Sequence, residues 1–186
     1  MLAAYLAERF SARIFVPLAL ALALAASAGE LSLGVLAVDA GFALILLAQF
    51  RSWDDLADRG RDAVSHPDRV IVQAASVAPI VGFSGALAIL NICVAIERDG
   101  SGLAVAVLTM LIFTLGTWYA LRTGRTAAGD HLLLSKYPAM VVVIAGGRVL
   151  SAPVFILGSA LALYLAVFAY EVWHDPASPL SIGGHR

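Results

Sequence analysis

The sequence predicts an all-α fold, a polytopic bundle of about six transmembrane helices forming a single domain over residues 1–186. Three observations predict it. Hydrophobic residues occupy 61% of the chain and charged ones 13%, far from the balance of a soluble globular domain. The apolar residues are gathered into runs long enough to cross hydrocarbon, which takes roughly 20 residues at about 1.5 Å of rise each. The basic residues then fall almost entirely on one face of the layout.

Taken in order, residues 14–29 form the first charge-free run, and residues 31–50 form a second broken only by Asp39. Residues 70–96 and 100–121 come next, both without charge. The region 137–170 holds one charge, Arg148, beside Gly146-Gly147 and shortly before Pro153. A Gly-Gly-Arg break next to a proline divides it into a shorter fifth helix ending near Arg148 and a sixth from about Pro153 to Trp173. The first run, preceded by Arg9 and Arg13 and ending in Ala26-Ser27-Ala28, also fits a secretory signal peptide. The chain after it is more membrane helix rather than an exported soluble domain, so a retained span is the simpler reading.

With six spans, Arg9, Arg13, Arg51, Arg59, Arg61, Arg69, Arg122, Arg125, Lys136 and Arg186 share one side, and only Arg98 lies in a loop on the other. The chain reads as an integral membrane protein of a bacterial inner membrane, and the positive-inside rule puts both termini in the cytoplasm. Net charge is −1, so there is no global basic surface of the kind that draws nucleic acid. The single cysteine, Cys93, has no partner for a disulfide. His66, His131, His174 and His185 lack the mutual spacing of a transition-metal site.

Four of the 13 acidic residues, Asp54, Asp55, Asp58 and Asp62, fall within nine positions after the second run. On a continuing helix, Asp58, Asp62 and Asp55 lie at about 40°, 80° and 100° from Asp54, with Arg51 at about 60°. Unneutralised carboxylates on one side would repel each other, and a divalent cation resolves the repulsion. Magnesium takes one or two carboxylates from protein and fills its octahedron with water and substrate phosphate, which points to a diphosphate ester. The plainer alternative is a solvated loop in which Arg51, Arg59 and Arg61 offset the acids in exposed pairs worth little each.

The segment Asp54-Asp55-Leu-Ala-Asp58-Arg-Gly-Arg-Asp62, continuing to His66-Pro67-Asp68-Arg69-Val70, resembles the first aspartate-rich motif of the UbiA superfamily of intramembrane prenyltransferases. That motif reads Asn-Asp-x-x-Asp-x-x-x-Asp, with a trailing Pro-x-Arg-Pro-like segment. The spacing matches throughout, with Asp54 where the family usually has Asn and Val70 where it often has Pro. The resemblance implies that Asp54, Asp58 and Asp62 carry the chemistry, facing Mg2+ and the diphosphate of a prenyl donor, with Asp55 in the same acidic set. Ionisation of the donor would give a carbocation for a lipophilic or aromatic acceptor to capture. Arg51 and Arg69 would contact the diphosphate, and Lys136, in Leu134-Ser135-Lys136-Tyr137-Pro138, resembles the basic residue before the family's fifth helix. Family members usually have nine helices and a second aspartate-rich motif after the sixth. Here Glu171 and Asp175 stand in that place as a reduced metal-side motif, and a homodimer or second membrane subunit would complete the lipid chamber.

For Arg69 and Lys136 the competing reading is topological, since basic residues collect at cytoplasmic helix ends. Arg148 reads as an interfacial residue able to snorkel, and Asp39 as an intramembrane charge that needs a partner. Trp53, Trp118, Tyr119, Tyr170 and Trp173 read as an aromatic belt, and Ala78, Gly82 and Ala86 as small residues for close helix packing. Two other function classes fit less well. A non-catalytic membrane subunit or scaffold could retain the first half of such a fold. A CDP-alcohol phosphotransferase would need Gly rather than Arg59 directly after Asp58.

Overall fold

The computed structural model describes residues 1–29, 31–175 and 178–180. They form helices joined by short turns, in the order α1 (Leu2–Arg9), α2 (Ala12–Ala26), α3 (Leu33–Ser65), α4 (Val70–Gln73), α5 (Ala78–Arg98), α6 (Leu103–Leu121), α7 (Ala127–Leu134), α8 (Lys136–Ala145), α9 (Arg148–Ser151) and α10 (Pro153–His174). Helices α3, α5, α6 and α10 are each long and apolar enough to cross a membrane. The pair α1 and α2, bent by 69°, raises the number to five if it counts as one span. The six-span reading is thus met only in part: four expected spans are there, the first depends on the bent pair, and the fifth falls short. Its helix, α8, has 10 residues and so reaches only about 15 Å, half the hydrocarbon thickness. It stops where the sequence pattern places the break, at Gly146, whose φ of +53° suits glycine. The last helix begins at Pro153, as its ring and missing N–H favour.

Helix α8 lies in the middle of the bundle. Met140, Val141, Val143, Ile144 and Ala145 are all buried, and α8 packs against α2, α3, α6 and α10. Helix α2 belongs to the same core, with Leu22, Ala23 and Ala26 fully buried. The segment that could be read as a signal peptide is therefore built into the fold. The outward surface is apolar: Leu33, Phe113 and Val154 are 86%, 72% and 88% exposed. Water would penalise such a surface and lipid would not.

Cross-links at the two ends show how the helices alternate in direction. At one end the start of α3 meets the end of α5 and the start of α9, where Arg98 and Arg148 both bond Asp39. At the other, the last third of α3 meets α1, the end of α6 and the start of α8. The end of α10 reaches the same polar end through Arg125. Thus α1 and the end of α10 lie beside the aspartates. Arg148 does not snorkel outward as its sequence position suggests; it turns inward to Asp39, which is fully buried. Ala78, Gly82 and Ala86 also depart from expectation. All three are exposed, and a Cβ on Gly82 would meet nothing within 4 Å.

Candidate functional site

Helix α3 has 33 residues and is about 50 Å long, so it outruns a bilayer and carries its last turns into the polar region. Those turns present the aspartates to a cavity of about 320 Å³ between the ends of α3, α6, α8 and α10. Asp54, Asp58, Arg51, Lys136, Glu171 and Asp175 all line it. An adjoining depression of about 390 Å³ is lined by Asp54, Asp55, Asp58 and Asp62 together with Arg51 and Arg69. Every site residue singled out in the sequence thus borders one of two neighbouring hollows.

Within that arrangement each carboxylate has a cationic neighbour. Asp54 accepts from the Lys136 ammonium and from the Tyr119 hydroxyl. Asp58 accepts from Arg122 at 2.6 Å and pairs with Arg61 at 2.7 Å. Asp62 accepts from Arg69. Asp55 turns the other way, toward α1, where it accepts from Tyr5 at 2.9 Å and from Arg9 at 2.7 and 3.0 Å.

The reason lies in the width of the acidic face. Asp54 and Asp58 sit within about 40° of each other and share the larger cavity, whereas Asp55 is at the edge of the arc and meets a different helix. Asp55 therefore anchors α1 to α3, while still bordering the adjoining depression with Asp54, Asp58 and Asp62. Glu8 on the same helix accepts the Val70 backbone N–H at 2.9 Å, so α1 clamps both the motif and the loop after it.

The far wall of the cavity is organised by Arg125, in the turn before α7. It donates to Asp130 at 2.9 Å, to Glu171 at 2.8 Å, to Asp175 at 2.6 Å and to Ser178 at 3.2 Å. Burial alone would lower its basicity, but Asp175 and Asp130 outweigh that and push it above the usual arginine value. The Thr126 hydroxyl caps α7 by accepting the Gly129 N–H at 3.1 Å. Gly129 itself is packed so closely that an added Cβ would lie 2.1 Å from the Trp118 ring.

Sequence reasoning identified Glu171 and Asp175 but not the arginine between them. It also missed Tyr119 and Arg122, which looked like belt and topology residues, and Tyr5 and Arg9. A usable signal existed for the first two: both stand where α6 must end beside the expected end of α3.

The donor set fits magnesium chemically, since Asp54 and Asp58 provide hard oxygens one helical turn apart and the ion takes only one or two from protein. Among the described residues, no group of three or more His, Cys, Asp or Glu side chains is arranged to hold a metal ion. Arg51 is the least engaged of the lining cations in its ion pairing: among the described residues it pairs with Asp55 alone, at 3.3 Å, and its Nε is buried and unpartnered. Searches against protein-family models, curated proteins and solved structures found no match to this chain.

Proposed function

We propose that the chain is a UbiA-like membrane prenyltransferase that binds the diphosphate of an isoprenoid donor, with Mg2+, in the cavity at the aspartate end. The observation that carries this reading is the mixture of signs around one hollow. Asp54, Asp58, Asp130, Glu171 and Asp175 line it together with Arg51, Arg61, Arg122, Arg125 and Lys136. A metal–diphosphate ligand has the same two-sign character. Its cation would take oxygens from Asp54 and Asp58, and its phosphates would take the guanidinium and ammonium donors those acids release, so pairs are exchanged rather than lost. Magnesium, when bound, would supply charge stabilisation for the departing diphosphate.

Arg51, with donors to spare, would meet the phosphate first, and Lys136 and Arg122 would join it as Asp54 and Asp58 turn to the metal. Breaking the allylic carbon–oxygen bond leaves the electron pair on diphosphate. A lipophilic or aromatic acceptor then forms the new bond to carbon and gives up a proton. In this reading α2, α3, α5, α6, α8 and α10 are six columns of a UbiA-like bundle, with α8 a short fifth. The arginine-rich end faces the cytoplasm of a bacterial cell, and both termini lie there. A homodimer or second membrane subunit would close the chamber around the isoprenoid tail.

One observation favours a non-catalytic subunit or scaffold: Asp54, Asp55, Asp58 and Asp62 are all satisfied by protein cations, so the network holds together without a ligand. Thermal unfolding of detergent-purified protein separates the two. The enzyme reading expects geranylgeranyl or farnesyl diphosphate to raise the melting temperature in magnesium and much less in EDTA. No shift with any prenyl diphosphate in magnesium would leave the scaffold reading.

A further inference from the structure

At the opposite end of the bundle, a cavity of about 370 Å³ opens between α3, α5, α6 and the α8–α9 turn. Its walls are mixed: apolar residues such as Val35, Ala104 and Ile144 alternate with the polar Arg98, Asp99, Ser101 and Arg148. Behind it lies Asp39, fully buried, accepting from Arg98 and, at 2.8 Å, from Arg148 Nη2.

Hydrogen bonding in this cluster is lopsided. Asp99, the acid in the lining, receives the Ser101 hydroxyl at 2.6 Å, the Ala104 N–H at 2.6 Å and the Ser101 N–H at 3.0 Å, with a further bond from the Gly147 N–H. Asp39 is taken up by the two guanidinium groups. A guanidinium has five N–H donors and accepts nothing. Arg98 gives one hydrogen bond, to Asp39, stacks over Phe42 at 5.5 Å, and keeps a quarter of its side chain exposed. Arg148 Nη1 is sealed off with no protein partner. Formal charge in the cluster balances, so the excess is one of donors over acceptors, next to apolar side chains.

The geometry points to a second ligand site here, independent of the aspartate cavity: a seat for a phosphate-bearing amphiphile, its phosphate on Arg98 and its chain along the apolar residues of the wall. The shared chemistry is a phosphate oxygen bonded to a guanidinium fork. A membrane phospholipid supplies it together with the chain, and free phosphate supplies it alone.

Native mass spectrometry of the full chain in detergent tests this with three probes: phosphatidylglycerol, diacylglycerol and inorganic phosphate. Phosphatidylglycerol is expected to bind, diacylglycerol with matched chains to bind at least about tenfold more weakly, and Arg98→Gln to weaken phosphatidylglycerol by a similar factor, as for loss of a charged hydrogen bond. Val35→Trp, which narrows the cavity from the α3 side one helical turn before Asp39, should displace the lipid, with the melting temperature read alongside to show that the variant is folded. Inorganic phosphate binding as tightly as the lipid would uphold the anion seat and reject the lipid as its source. Equal binding of phosphatidylglycerol and diacylglycerol, or retention of the lipid by both variants, overturns the proposal.

Discussion

Replacing Lys136 by methionine probes the cavity's electrostatics with little change of shape. The lysine is 7% exposed and its ammonium bonds Asp54, whose side chain is 19% exposed. Without it Asp54 keeps the neutral Tyr119 hydroxyl as its donor, and a largely buried carboxylate is left without its counter-charge. Breaking a buried pair from one side costs about 3–5 kcal/mol, and the residual exposure of Asp54 argues for the lower end. At about 2–4 °C per kcal/mol for a chain of this size, the melting temperature should fall by roughly 6–12 °C. Combining Lys136→Met with Asp54→Asn removes both charges and should recover most of that loss. Thermal unfolding of the purified proteins in one detergent reads all four species. A single variant that loses less than about 1 kcal/mol, the value of an exposed pair, would contradict a buried ion pair here. So would a double variant no more stable than the single one.

The rest of the polar framework makes three further outcomes testable. Arg125→Gln should release α7 from the end of α10, because one guanidinium joins Asp130, Glu171 and Asp175; hydrogen exchange should quicken across residues 126–135 and 170–175 and stay unchanged in the first half of α3. Gly129→Ala should destabilise by about 1–3 kcal/mol in the same unfolding assay, since the new methyl must displace the Trp118 ring. Burial pushes the Asp99 carboxyl up, but bonds from Ser101, Ala104 and Gly147 outweigh it and hold it below the usual value of 3.8. Its contribution is therefore complete above that value and fades as pH falls through the lower folded one; the stability advantage of wild type over Asp99→Asn should be constant at neutral pH and shrink only in strong acid.

The helices and much of the acidic site were legible in the sequence for a physical reason. Lipid demands long uncharged runs, and their ends announce themselves by charge, glycine and proline, as at Gly146 and Pro153. Angular arithmetic likewise put Asp54, Asp58 and Arg51 on one side of α3, and they share a cavity. It could not tell that an arc of about 100° faces two neighbours, because which helix lies beside Asp55 depends on the 69° bend after Arg9. Nor does periodicity reveal inward turns such as Arg148 to Asp39, which join residues 109 positions apart. Tyr119 and Arg122 illustrate the same gap: an aromatic or a cation at a helix end fits the interface by default, and only the neighbouring helix shows whether it serves the lipid or a carboxylate.

Asp58 faces the cavity and, among the described residues, takes only Arg122 and Arg61 as ion-pair partners. Release of diphosphate from labelled geranyl, farnesyl and geranylgeranyl diphosphates should be measured with wild type and Asp58→Ala side by side, with magnesium and with EDTA. Wild type is expected to release diphosphate in magnesium alone, and the variant none although it still inserts into the membrane. Turnover by Asp58→Ala at the wild-type rate, or by wild type regardless of divalent ions, would contradict that expectation.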